Sequence, residues 1–341
     1  MRRCKQQAGM SLVEILVSLV ISIFLLGGII QVYLANKASY SFTNAISRVQ
    51  ENGRFSVDII RRDLRMAGFF GCAIFDPNDT NSIVNNLNPA GAGYAASFDW
   101  LGDGLISGTD NAGLNGSDSI TIRGAKPGQL NVLPPYNINS SANISVTPNS
   151  NIKAGDIVMA TNCRGADIFQ VTNTTPSTNA AKNSVVHNTG TGHNPGNYNP
   201  GNCQGENAHC LSQTYGADAS VIELQVVTYS IQVGDSGEPA LFRSENGDDL
   251  ELIEGIEKMQ LLYGVDTSDD GYPNRYFIST DVTDMNEVIA VRLMLLVRSE
   301  SDFITEAKQK YTFDSISTEA TDWRLRQVFS TTIALRNRIG S

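Results

Sequence analysis

One carboxylate stands in a segment that otherwise leaves no place for a lone charge. Residues 10–35 read MSLVEILVSLVISIFLLGGIIQVYLA, and Glu14 is the only charged residue among them. Residues 15–35 alone make ~31 Å of helix at about 1.5 Å per residue, enough to cross the hydrocarbon of a bilayer. A carboxylate inside such a run costs roughly 2.5–3.5 kcal/mol, so it is seldom present without a partner. Ahead of the run lies MRRCKQQAG, with Arg2, Arg3 and Lys5 and no acid.

Three readings of this N-terminus compete. A secretory signal has an apolar region of about 7–15 residues and a small-residue cleavage site. Here the apolar run is longer, and Leu34-Ala35-Asn36-Lys37-Ala38 makes a poor site of that kind. A plain transmembrane anchor leaves Glu14 unexplained. The third reading accounts for everything: a short basic leader ends in Gly9, then come Met10, Ser11, Leu12, Val13 and Glu14. This pattern resembles the class III signal of type IV pilin-like proteins, with Met10 where that superfamily usually has Phe. The resemblance implies that a prepilin peptidase cuts between Gly9 and Met10 on the cytoplasmic side and that Met10 is N-methylated. The mature chain then waits in the inner membrane until it is drawn into a filament. In a stack of such helices, the charged amine of one N-terminus can sit beside Glu14 of a neighbour, each relieving the other's burial cost. Glu14 would thereby set axial register during assembly.

The chain carries 25 Lys and Arg against 35 Asp and Glu, a net charge of −10. Loss of the leader removes three cations and no anions, moving it to −13 (22 against 35). That balance argues against nucleic acid binding, which needs clustered cations to displace phosphate counterions. About 270 residues follow the helix, enough for one large domain or two small ones. Cys4 leaves with the leader, and Cys72, Cys163, Cys203 and Cys210 remain. An even count outside the cytoplasm reads as two disulfides, with three pairings open. We expect Cys72–Cys163, which would fasten the head to its stem, and the local pair Cys203–Cys210.

From Asn36 the sequence turns amphipathic. Phe42, Ile46, Val49, Gly53, Ile60, Leu64 and Ala67 keep three- and four-residue spacing, and charged residues from Arg48 to Arg65 occupy the other faces. The helix is expected to continue to the Gly68–Gly71 region. Gly27-Gly28 is a weak point, suited to local stretching or to a packing notch. Beyond Cys72, segments rich in Asn, Gly, Ser and Pro (76–118, 134–155 and 172–207) alternate with short β-like runs. Strands are expected at 119–123, 156–160, 167–171, 221–233, 240–243, 259–263, 288–298 and within 324–335, with 250–257 a short helix or strand. The nearly continuous apolar run 288–298 suits a strand buried on both faces. The fold class is α+β: a long N-terminal helix, membrane-spanning in its first half, packed on an antiparallel β-sheet domain with long loops. The expected division is a leader at 1–9, a helix at 10–70 with its transmembrane part at 10–35, and a head at 71–341 with an Asn/Gly-rich insert at 172–207.

Five later segments narrow the resemblance. RRDLRMAGFFGC (61–72), GDIVMATNCRGADIFQVT (155–172), LELIEGIEKMQLLYGVD (250–266), VIAVRLMLLVRSE (288–300) and LRQVFSTTIALRNR (325–338) look like the PilW family of minor pilins. The resemblance implies a low-abundance subunit that helps prime pilus assembly at or near the tip. Its partners would be the prepilin peptidase, other minor pilins, the major pilin, a large tip adhesin and the inner-membrane assembly platform. It would support adhesion, twitching motility and DNA uptake. Its location would be the bacterial inner membrane, head in the periplasm, and then the surface pilus. A type II secretion pseudopilin and a membrane-tethered ligand-binding protein are the rival readings.

Chemistry-bearing clusters are few. His187, His193, Cys203, His209 and Cys210 lie close in sequence, but their spacing matches no compact zinc pattern. Asp266, Ser268 and Asp270 alternate ahead of Gly271, like the first half of a calcium loop. The twelfth position is Phe277, where such a loop has a bidentate Glu, and an acidic turn is the preferred reading. No G-x-S-x-G, phosphate-binding glycine loop or H-E-x-x-H occurs, so no enzyme is expected, and no cofactor, with calcium at Asp266, Ser268 and Asp270 as the alternative reading.

Overall fold

The computed structural model describes residues 11–73, 83–91, 94, 104–136, 142–148, 151–176, 182–189, 192–198, 211–268 and 270–337. One uninterrupted helix, α1 (Leu12–Met66), dominates the stem. No proline interrupts it, and it ends where the chain turns: Gly68 takes φ +70°, a left-handed value that favours glycine, and its N–H donates to the Arg123 carbonyl. Ala45, Val49, Gly53, Ser56, Ile60 and Leu64 are its buried residues, spaced as one helical face. Phe42, expected on that face, is exposed, and Ala45 takes its place. The first half turns no side chain inward, because the head begins to cover the helix only at Ala45.

Eighteen strands follow among the described residues. They are β1 (Ile83–Asn85), β2 (Ile106–Thr109), β3 (Ser119–Ala125), β4 (Leu130–Asn131), β5 (Asn143–Val146) and β6 (Ile157–Thr161). Next come β7 (Ala166–Gln170), β8 (Asn173–Pro176), β9 (Asn183–Val186), β10 (Ser220–Val233), β11 (Pro239–Glu245) and β12 (Asp248–Glu254). The last are β13 (Ile256–Val265), β14 (Arg275–Phe277), β15 (Val288–Arg298), β16 (Lys310–Phe313), β17 (Ile316–Glu319) and β18 (Arg326–Ala334). The ambiguous segment 250–257 is therefore strand. Short strands also occur inside the stretches read as loops: ISGT in β2, NISV in β5, NTTP in β8 and NSVV in β9 carry little apolar signal.

The strands form two main sheets, with a three-stranded piece (β5-β9-β8) and a two-stranded hairpin (β16-β17) beside them. The long strand β10 joins two halves of a nine-stranded sheet. Its first residues pair with β6 and β4, and its later ones with β3 and β11. Among the described residues, all strand pairs are antiparallel except β1 with β7. The second sheet runs β14-β13-β15-β18. Strand β15 occupies 288–298 and is buried over most of both faces, as its continuous apolar run requires.

Three apolar cores result among the described residues. The largest joins Val49, Ile60 and Leu64 of α1 to residues of β3, β10, β13 and β15. The other two lie on opposite faces of the β6–β10 region: Met159, Ile168 and Ile222 on one side, Val158, Phe169 and Val221 on the other. Alternate residues of the same strands feed both.

Candidate functional site

The first half of α1 is a bare apolar rod. Leu16, Val20, Phe24, Ile30 and Leu34 are all exposed, and no charge occurs between Glu14 and Lys37. Its polar side chains are self-satisfied: the Ser18 hydroxyl donates to the Glu14 carbonyl and the Ser22 hydroxyl to the Ser18 carbonyl, each at 2.7 Å. A hydroxyl bonded to its own helix costs little in lipid. Glu14 lies in the first turn, where the helix dipole favours an anion. Among the described residues nothing pairs with its carboxylate. Gly9 and Met10, the expected cleavage and methylation positions, lie outside the described residues. At Gly27 and Gly28 an added Cβ would meet nothing, so neither is a packing notch within this chain.

The second half of α1 is clamped to the head. Gly53 lets the Phe329 ring of β18 lie on the helix backbone; a Cβ there would come within 2.2 Å of the ring. Asp63 accepts from the Tyr229 hydroxyl at 2.7 Å and from Arg243 Nε at 3.3 Å. Arg243 continues to Glu245, which pairs with Lys126, which pairs with Glu223. Burial, then the Asp63 carboxylate, pushes the Tyr229 hydroxyl well above its ordinary pKa. Burial acts to raise the Glu245 carboxyl, yet hydrogen bonds from Lys126 and Arg243 bring it below the usual value. Asp63, one of the charges off the apolar face of the helix, is a largely buried contact with the sheet. Its only sequence signal is that it precedes the buried Leu64.

Further ties flank this one. Asn52 donates to the Glu254 carbonyl, Arg48 pairs with the Glu300 carboxylate, and Asn337 donates to the Ala67 carbonyl at the helix end. The Cys72–Cys163 disulfide forms as expected, with Cα atoms 5.0 Å apart, joining the chain just after α1 to the β6–β7 turn. Cys203 and Cys210 lie outside the described residues. The chain returning from that insert is fixed by Asp167 of β7, which is fully buried. It accepts from Ser212 N and Oγ, from Tyr215 Oη at 2.6 Å and from Asn86 Nδ2 at 2.9 Å.

The metal-ligand candidates separate. His187 is buried against Phe169, His193 lies beside Gly155, and His209 is outside the described residues. Asp266, Ser268 and Asp270 share one turn, where the Asp266 carboxylate accepts the N–H groups of Ser268, Asp270 and Gly271. Those bonds use the carboxylate to shape its own turn. Among the described residues no group of three or more His, Cys, Asp or Glu is placed to hold a metal ion.

The exposed rod, its single carboxylate and the clamped head agree with two family matches. Residues 4–30 match the prokaryotic N-terminal methylation motif, and residues 228–337 match the family of type IV pilus-assembly protein W. The first covers Gly9, Met10 and Glu14; the second runs from the later half of β10 through β18. Comparison with curated proteins and with solved structures gives no match. Pilin-family domains are structural rather than enzymatic, and the prepilin motif with an apolar helix anchors such chains in a membrane and associates them with a pilus. A prepilin N-terminal motif joined to a head that carries the PilW domain matches the pattern of a PilW-family minor pilin.

Proposed function

We propose that this subunit helps initiate type IV pilus assembly and is part of the priming complex at or near the filament tip. The observation that supports this most is one continuous helix whose first half is apolar, uncovered and bears a single carboxylate. Before assembly that half spans the inner membrane, with the head in the periplasm. After cleavage at Gly9 and methylation of Met10, it moves from lipid into the filament core, a transfer between two apolar surroundings. Glu14 then pairs with the amino terminus of a neighbour, so that only one axial offset between helices leaves no charge unpaired. The clamped second half transmits that offset to the head. The head faces other minor pilins, the major pilin and a large tip adhesin, and the assembly platform drives the addition. Adhesion, twitching motility and DNA uptake are downstream of filament formation.

The test compares surface pili, sheared and quantified, from a strain lacking the gene and from complemented strains. Pili should fall sharply on deletion, return with the wild-type gene and stay low with Glu14→Ala. Normal pili in the deletion strain would instead favour a secretion pseudopilin or a tethered receptor.

A further inference from the structure

The open edge of a β-sheet presents unpaired N–H and C=O groups, and folded proteins blunt such edges with brevity, charge, proline or bulges. Among the described residues, the edges of the two main sheets follow that rule with one exception. The branched nine-stranded sheet ends in three-residue β1, four-residue β2, two-residue β4 and in β12, whose sequence DDLELIE carries four acids. In the second sheet, β14 has three residues. Strand β18, the other edge, has nine residues, RQVFSTTIA, with no charge after Arg326 and no proline. Its pairing with β15 runs without a register break, whereas β11–β12 has one and β13–β15 two.

The phase of that ladder identifies the open groups. Ser299 N donates to Leu325 O, and Leu335 N donates to Ile289 O. Odd-numbered residues therefore bond to β15, while Val328, Ser330, Thr332 and Ala334 turn their N–H and C=O outward. At Arg326 the outward pair is taken by one side chain: Gln309 Nε2 donates to its carbonyl at 2.8 Å, and its N–H donates to Gln309 Oε1 at 2.7 Å. Gln309 thus imitates the next strand at one end. The following four pairs have no hydrogen-bond partner among the described residues.

We propose that residues 328–334 receive an extended strand from a neighbouring, unlike subunit of the filament, which completes the ladder by strand addition. This rests on the filament reading above. The edge lies against the clamped half of α1, with Phe329 on Gly53, so it continues the uncovered surface of the same helix. A second copy does not fit. Antiparallel pairing of two identical edges needs a two-fold axis perpendicular to the sheet, which points the two α1 helices in opposite directions. Both must enter one membrane from the same side.

Two substitutions in the full-length chain test this in cells. Thr332→Pro removes an outward N–H and leaves the bonds to β15 untouched. Ser330→Lys places a charge on the edge. Val233→Lys, at the exposed end of β10, serves as control. Membrane level, Cys72–Cys163 formation and amount in sheared filaments are measured for each. Both edge variants should form the disulfide, reach wild-type membrane levels and fall about ten-fold or more in filaments, while the control matches wild type. Either folded edge variant entering filaments at wild-type level overturns the proposal, and if Thr332→Pro fails to form the disulfide, Ser330→Lys decides alone. A photo-crosslinker at Ala334 giving an adduct of twice the chain's mass also overturns it, in favour of a second copy. Absence of the wild-type chain from filaments refutes the filament reading itself, and is seen before any variant is compared.

Discussion

Removal of the Cys72–Cys163 bridge should cost the head a large part of its stability through the unfolded chain alone. The bridge spans a sequence separation of 91 residues. In the chain-entropy treatment, cutting a loop of that length restores about 15 cal/mol/K to the unfolded state, or roughly 4–5 kcal/mol at 25 °C. A head of ~270 residues unfolds with an entropy of about 0.57 kcal/mol/K, so the midpoint temperature should fall by about 8 °C. The perturbation is the double variant Cys72→Ser/Cys163→Ser, which leaves no orphan thiol. Full-length protein in mild detergent would be unfolded by urea and by heat, followed through tryptophan fluorescence. The folded contacts around β6 and β7 stay in place, so native spectra should be unchanged. A stability loss below about 1 kcal/mol would falsify the argument, because the unfolded chain would then be held compact by something other than the bridge.

Two smaller perturbations probe the clamp between helix and head. Tyr229→Phe removes the 2.7 Å donor to Asp63 and should destabilise by about 1.5–3 kcal/mol, the range for hydrogen bonds to charged groups; a loss under half a kilocalorie in the same urea titration would show that Arg243 alone satisfies the carboxylate. The hydrogen bond from Arg326, with help from the Arg324 backbone and charge, holds the Asp322 carboxyl down from 3.8 to about 2. A lowered carboxylate contributes stability above its unfolded pKa and loses it as pH falls through the folded one. The unfolding midpoint should therefore drop between pH 3.8 and about 2, and Asp322→Asn should flatten that part of the profile; equal slopes for both proteins would exclude the pair as a source of acid sensitivity.

The readings that survived were carried by residues close in sequence. The helical period of Val49, Gly53, Ile60 and Leu64 is local and agrees with the observed buried face. Residues 288–298 announce a central strand because a strand covered on both faces needs apolar residues at every position. Strands β2, β5, β8 and β9 escaped notice because their polar side chains look like those of loops, and their partners supply most of what makes them strands. Phe42 was misplaced for a related reason: amphipathic spacing says which residues share a face, not where along the helix the head begins.

By itself, the sequence determined the stem: an apolar run long enough for a bilayer, one carboxylate near its start, and a helix that continues into an amphipathic half. These follow from hydrophobic transfer and from the 3.6-residue period, both properties of the local chain. Only the tertiary structure decided that Asp63 faces Tyr229 and Arg243, that Phe329 rests on Gly53, and that β18 is left as an open edge. Each of those depends on pairing between residues far apart in the chain, where strand order and register arise from the packing of the whole head.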